Sequence, residues 1–267
     1  MSKGLSLPRP AAALGIIVLT LIATGGTVLA ADITPPTATA PVQTIAMGTV
    51  VKGTDFSTVP IRLRWSATDA SGIKSYELWR STNSGPFVRQ TLPTPTATSR
   101  RYQLATDNSY RFFVRAYNNA GNVSSAKYGP TFTPTVVDDR VCCDYWALES
   151  RLPWTPELLS SAYGGTITTL STSSYIYRIS RNTGHAVHYF TGRDAAYVAA
   201  VGSHWSPAWV RFDGLNSALV NLHRSTSAGA QVVASGHWPT LGSHMIEISN
   251  AFDSGGPINV DAIVVLQ

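Results

Sequence analysis

Ser109-Tyr110-Arg111-Phe112-Phe113-Val114-Arg115-Ala116-Tyr117 sorts its residues into two alternating sets. Successive side chains of an extended strand point to opposite faces, so Tyr110, Phe112, Val114 and Ala116 share one face. Arg111, Phe113, Arg115 and Tyr117 share the other. Upstream, Ile61-Arg62-Leu63-Arg64-Trp65-Ser66-Ala67 has the same period, with Ile61, Leu63, Trp65 and Ala67 on the inner face. Between these runs, Asp69-Ala70-Ser71-Gly72 and Asn83-Ser84-Gly85-Pro86 have turn chemistry. They bracket Ile73-Lys74-Ser75-Tyr76-Glu77-Leu78-Trp79-Arg80, a strand with Tyr76 and Leu78 on one side. Pro93-Thr94-Pro95-Thr96 suits a sheet edge or a crossing between sheets. After the turn Asn118-Asn119-Ala120-Gly121-Asn122, a last strand leads through Tyr128 to Phe132. Short strands with turns at about every 8–12 residues predict a β-sandwich.

The next stretch is strand-like again. Candidates are residues 175–179, 186–190, 195–199, 208–212, 219–223, 230–234, 244–248 and 258–266, with Asp213-Gly214 as a tight hairpin turn. No amphipathic helix of useful length interrupts them. The expected fold is all-β, with two β-sandwich domains. Residues 46–134 form the first, and residues 135–267, a jelly roll, the second. A Pro/Thr-rich extended lead-in covers residues 31–45.

Composition agrees. The 267 residues are 44% hydrophobic, enough for a core, and only 13% charged. The shortfall of charge is filled by Thr, Ser, Gly and Pro, which favour short strands and turns. The net charge of +5 drops to +3 without Lys3 and Arg9, too dispersed for a nucleic-acid surface. Residues 1–30 have the form of an export signal: Lys3 and Arg9, an apolar run over residues 11–23, Gly25-Gly26, then Val28-Leu29-Ala30. The glycine pair and the short residues favour cleavage over retention as an anchor. Either outcome places the rest outside the cytoplasm, secreted or at the cell surface, with no membrane span after cleavage. Cys142 and Cys143 are adjacent, and a normal disulfide sets its Cα atoms further apart than one peptide allows. Two partly buried thiols are therefore expected; a vicinal redox disulfide or an intermolecular link are the alternatives.

Trp65, Asp69-Ala70-Ser71-Gly72-Ile73, Tyr76-Glu77-Leu78, Tyr110-Arg111-Phe112 and Ala120-Gly121-Asn122-Val123-Ser124 together resemble bacterial fibronectin type III-like domains. The resemblance implies a seven-stranded sandwich serving as a spacer or adhesive module, with Tyr110 as the strand-F tyrosine. Further on, Tyr163-Gly164-Gly165, Phe190-Thr191-Gly192-Arg193, Tyr197-Val198-Ala199, Val210-Arg211-Phe212-Asp213-Gly214, Gly242-Ser243-His244-Met245-Ile246-Glu247-Ile248 and residues 260–266 occur in the order seen in galactose-binding-like jelly rolls. That family includes carbohydrate-binding modules of exported actinobacterial-type proteins. In several of its members an Asp of the last strand and acids near the first hold a structural Ca²⁺, which here implies Asp261 with Asp138 or Asp139. Hydrogen bonding of Asp261 to a loop amide, without metal, is the preferred alternative.

Sugar recognition needs aromatic planes beside hydrogen-bonding groups. His204-Trp205, within Gly202-Ser203-His204-Trp205-Ser206-Pro207, and His237-Trp238, within Ser235-Gly236-His237-Trp238-Pro239, offer that pairing. Trp146, Trp154 and Tyr163 are further candidates. Each ring taken singly is expected in packing before ligand contact. All six histidines (His185, His188, His204, His223, His237 and His244) lie in the second half, but their spacing does not converge on zinc. Neither a Gly-x-Ser-x-Gly elbow nor a His-Glu-x-x-His motif is present. Glu247 lacks an obvious carboxylate partner. The expectation is a non-catalytic binding protein without a cofactor, save a possible structural Ca²⁺, recognising polysaccharide or surface glycan. A structural or adhesive envelope protein with protein partners is the alternative, and a small hydrolase ranks last.

Overall fold

A computed structural model describes residues 32–52, 57–147, 154–170, 184–251 and 256–267, with residues 145–147 and 216–217 as backbone only. The export signal, the strand expected at 175–179 and the ring of Trp146 lie outside these described parts. Residues from Ile33 to Gln267 form one compact unit.

The first strands are β1 (Thr37–Ala38), β2 (Val42–Ile45), β3 (Thr58–Arg64), β4 (Ala67–Thr68), β5 (Ile73–Thr82), β6 (Val88–Gln90), β7 (Ser99–Ala105), β8 (Tyr110–Asn118) and β9 (Lys127–Tyr128). They build a three-stranded sheet β2-β3-β7 and a four-stranded sheet β6-β5-β8-β9, with a small β1-β4 pair at the side. The period-2 pattern lands as expected: Ile61, Leu63, Trp65, Leu78, Phe112, Val114 and Ala116 are buried between the sheets. The Tyr110 hydroxyl donates to the Ala105 carbonyl at 3.1 Å, tying the entry of β8 to the end of β7. The segment expected as a lead-in is extended but belongs to the sandwich. Its β2 pairs with β3, and Ala38 and Ile45 are buried in the core.

The second group comprises β10 (Pro134–Asp138), a single helical turn α1 (Asp139–Cys142), β11 (Asp144–Ala147), β12 (Trp154–Leu158), β13 (Thr166–Leu170), β14 (Gly184–Val201), β15 (Ala208–Phe212), β16 (Leu215–Val220), β17 (Ala228–Asn250), β18 (Ile258–Val260) and β19 (Ala262–Leu266). A three-stranded sheet β12-β13-β18 faces a larger one of order β10-β19-β14-β17-β15-β16, with β11 also paired to β14. The fold is all-β, of the β-sandwich class. Asn259 joins the two sheets: its Oδ1 accepts from the Ala200 amide at 2.8 Å and its Nδ2 donates to the Ala200 carbonyl at 3.1 Å. A fully buried amide keeps its stability only when both ends are satisfied in this way. Asp213-Gly214 makes the expected two-residue hairpin, with φ of +54° and +68°.

Two expectations are corrected. The pairs 186–190/195–199 and 230–234/244–248 were expected as four strands. They are two, β14 and β17, each continuous through a register shift near Gly192. Gly192 has no room for a side chain, since a Cβ there would lie 2.8 Å from Val265 and 2.9 Å from the Leu266 carbonyl. The cysteines are the second case. Cys142 and Cys143 are joined in a vicinal disulfide with Cα atoms 3.7 Å apart, not held as thiols. The helical turn ends at Cys142 and the chain re-extends through Cys143, which brings the neighbouring sulfurs side by side.

The two groups of sheets share a core. Ala196, Val198, Ala230, Val232, Ala262, Val264 and Leu266 pack in one cluster with Ile61, Leu63, Phe112 and Val114. Their neighbours Ala195, Tyr197, Ile263 and Val265 pack in the second cluster, on the opposite face of the same strands. Backbone bonds add to this seam: Gly48 N to Val232 O, Val232 N to Thr49 O and Val51 N to Ala230 O, each 2.9 Å. Beside the seam, a Cβ on Gly229 would fall 2.2 Å from the Ser161 carbonyl oxygen and 2.4 Å from its carbon. Backbone cannot yield as a side chain does, so Gly229→Ala is expected to destabilise by about 2–3 kcal/mol. Gly48→Ala, at φ +69° with open space around it, should lose only about 1 kcal/mol. Urea denaturation of both variants checks the order.

Candidate functional site

An open groove of about 720 Å³ runs along the second sandwich between the stretch of β14 paired with β11 and the stretch paired with β19. Thr135 and Val137 of β10 form one bank; His188, Tyr189 and Thr191 of β14 form the floor; Ser243, His244 and Met245 of β17 form the other bank. Tyr189 is 67% exposed, an unusual state for a tyrosine in a long strand.

Asp213 organises the far bank. Its position in the hairpin turn aims the carboxylate back at β17. One oxygen accepts from Trp238 Nε1 at 2.8 Å and from His244 Nδ1 at 2.9 Å; the other accepts from the Met245 amide at 2.8 Å. Partial burial works against the charge, but these three donors outweigh it and hold the Asp213 carboxyl below the usual carboxylate range. An ionised carboxylate only accepts, so His244 donates from Nδ1 and turns Nε2 inward, where that atom has no hydrogen-bond partner. The indole and imidazole stack at 4.1 Å with 23° between planes, and Phe190 and Phe212 meet the indole edge-on at 5.6 and 5.9 Å. Gly236 makes this possible: a Cβ there would sit 2.9 Å from Phe212 and 3.0 Å from Trp238. At the opposite end, His188 Nδ1 donates to the Cys142 carbonyl, and burial lowers its pKa against that bond and the pull of Asp144, leaving it neutral at pH 7.

The candidates read from the sequence scatter. Trp205 is 6% exposed, its ring 4.2 Å from that of the exposed His204, so it packs the core and is not an open loop platform. Trp238 sits in an excursion of β17 opposite Arg193, half-buried, with its ring folded onto the cluster above. His237 Nδ1 lies 2.8 Å from Asp194, a 1% exposed carboxyl that burial pushes up to about 6 against the His237 contact. Trp154 opens the edge strand β12 and packs inward. Tyr163 shares a 2.7 Å hydrogen bond with Ser57 of the first sandwich. Trp146 pairs its backbone with His185. Tyr189, Asp213 and His244 are the groove residues that sequence reasoning did not assign to a ligand.

The three acids expected at calcium are brought together but engaged separately. Asp261 accepts from the Tyr163 amide at 2.8 Å and the Ala230 amide at 2.7 Å. Asp139 accepts from the Thr166 and Thr168 hydroxyls at 2.9 and 2.7 Å, and Asp138 pairs with Arg140 at 2.8 Å. Among the described residues no three acid, His or Cys side chains are set to hold one metal ion. Burial raises Asp139 and pushes Asp261 up to about 7, with the neighbouring carboxylates adding to it and the amides opposing it.

The native state therefore keeps a proton on Asp261 that an unfolded chain releases above about pH 4. The stability this supplies is full below about pH 4, falls as pH rises and levels off above about 7, a loss of roughly 4 kcal/mol from Asp261. Asp261→Asn should start less stable, having lost one acceptor, and show less than half the slope. Thermal unfolding from pH 5 to 8 in chelator measures both.

No family model and no curated protein matches the chain. Among solved structures it is similar to a family two carbohydrate esterase from Cellvibrio japonicus (11% identity, TM-score 0.32, 51% of this chain and 34% of that one). It is also similar to an exo-β-1,3-galactanase from Phanerochaete chrysosporium (13%, 0.30, 78% and 54%). A third likeness is to the CBM36-1 domain of a xylanase from the hindgut metagenome of Trinervitermes trinervoides (12%, 0.28, 51% and 97%). The chain thus spans about a third of the first and half of the second. Among the described residues no helix is long and apolar enough to cross a membrane.

Proposed function

We propose that this is an exported, non-catalytic carbohydrate-binding protein, and that the groove of the second sandwich takes a polysaccharide or surface glycan. The observation that carries the proposal is the open groove with Tyr189 standing 67% exposed beside the Asp213–Trp238–His244 cluster. A sugar ring offers an apolar face and a rim of hydroxyls. An exposed phenol gives it a plane, and the hydroxyls of Thr191 and Ser243 give it partners at the edge. The cluster behind them is held by charge-assisted bonds worth about 1.5–3 kcal/mol each, so the bank is preorganised before a ligand arrives.

Among the described residues Asp213 is the one carboxylate lining the groove, and its oxygens already serve three donors. Glycoside hydrolysis asks for two carboxyl groups flanking one bond, which supports binding over catalysis. The strand orders β2-β3-β7 and β6-β5-β8-β9, with the Tyr110 hydroxyl bonded back to Ala105, support a fibronectin type III-like first sandwich. Its shared core with the second makes it a rigid mount for the groove and not a loose spacer.

The test is pull-down on cellulose, chitin, xylan and peptidoglycan. Wild type should be retained by at least one polymer, and Tyr189→Ala should weaken retention at least fivefold with an unchanged far-ultraviolet spectrum. Trp238→Phe, which removes the indole donor to Asp213, should weaken it less. No retention of wild type on any polymer defeats the proposal.

A further inference from the structure

The four-stranded sheet of the first sandwich turns one face to the core and carries a row of rings on the other. Arg89, Trp79, Phe113 and Tyr128 are successive cross-strand partners on β6, β5, β8 and β9. Trp79 and Phe113 stack at 5.7 Å with planes 9° apart, Phe113 and Tyr128 lie 4.9 Å apart, and Phe87 leans on both at 4.9 and 5.7 Å. Tyr128 is 46% exposed, Trp79 and Phe87 are half-buried, and Phe113 is the floor at 7%. Neighbouring strands repeat at about 4.8 Å, so the row advances by roughly the size of a sugar residue per strand.

Cations border the row. The Arg111 guanidinium lies 5.0 Å from the centre of the Tyr128 ring and that of Arg115 5.8 Å from Phe113. Arg111 is exposed and donates from Nε to the Gly129 carbonyl at 3.3 Å. Arg89 is 62% exposed and pairs with Glu77 at 3.1 Å, and among the described residues of these strands' outward set Glu77 is the one acid. Three arginines against one glutamate leave the face positive. A second copy of the same face would be repelled, while a partner with flat rings and carboxylates meets both the rings and the charge. Beside the row, an open groove of about 670 Å³ between β5, β8 and the 91–95 loop, lined by Glu77, Arg89 and Tyr117, continues the track.

We propose that this outer face binds an acidic polysaccharide, with sugar rings stacking on Trp79 and Tyr128 over the Phe113 floor and their carboxylates meeting Arg111 and Arg115. The site is in the other sandwich from the groove and does not depend on it.

Fluorescence anisotropy with labelled hexagalacturonate tests this, with a neutral hexasaccharide and a thymidine hexanucleotide as controls. Wild type should bind hexagalacturonate at least tenfold tighter than either control and lose affinity as salt rises. Tyr128→Ala, and Arg111→Gln with Arg115→Gln, should each weaken binding at least fivefold without altering the thermal midpoint, and Tyr189→Ala should leave it unchanged. The proposal is overturned if wild type does not bind hexagalacturonate. It is equally overturned if these variants bind as wild type does, or if the hexanucleotide binds as tightly, which would reduce the face to a general polyanion contact.

Discussion

A strand buried on both faces has no solvent side, and β19 is such a strand. Ile263 and Val265 face the core of the second sandwich, while Ala262, Val264 and Leu266 face the first. All five are at most 1% exposed. Each apolar side chain so buried contributes about 1.5–3 kcal/mol relative to exposure, and here the contribution is drawn from both cores at once. The arrangement also dictates what lies next to it. Ahead of the strand, Asp261 is carried into the interior, where its two oxygens are met by the amides of Tyr163 and Ala230. Ala230 takes a φ of +52°, a conformation an alanine adopts only when its surroundings hold it there. The acid, the strained alanine and the two cores form one unit.

The same seam positions both candidate surfaces. The groove opens along β14 between its β11-paired and β19-paired stretches, beside the register shift at Gly192. The aromatic row lies on the outer face of the β6-β5-β8-β9 sheet, whose inner face packs Leu78, Phe112 and Val114 into the shared core. Neither surface is built on a free loop. Both are presented by paired strands, which limits how far the rings can move to meet a ligand and keeps the ordering cost of binding small.

Much of this was legible in the amino-acid order. Alternation in residues 109–117 assigned the faces of β8 correctly, and Asp213-Gly214 announced its hairpin. The uninterrupted apolar run at 262–266 marked a strand but not its second burial, because periodicity cannot tell a strand covered on both sides from a short core helix segment or an edge. The continuity of β14 and β17 was hidden by Gly192, Gly236 and Pro239, which read as breaks and act as bends within paired strands. The aromatic row was the clearer loss. Phe113 stood among arginines on the outward set of β8, and Trp79 was out of phase with Leu78, yet only the cross-strand register joins them to Tyr128. Register between distant segments is what a single sequence does not display. The vicinal disulfide ranked only as an alternative to free thiols, because the usual distance between the Cα atoms of a cystine does not cover neighbours at the end of a helical turn.

Order of synthesis gives β19 a further meaning. Among the described strands it emerges last, yet it lies inside its sheet, between β10 and β14. Its partners wait through more than a hundred intervening residues on the β10 side, since Pro134 meets Leu266. Contacts so distant along the chain fold slowly, because the loop must close before the pairing rewards it. Until β19 arrives, the second sandwich lacks a middle strand and the first lacks part of its floor. Both cores are therefore completed by the same pairing event, and neither can close without the other.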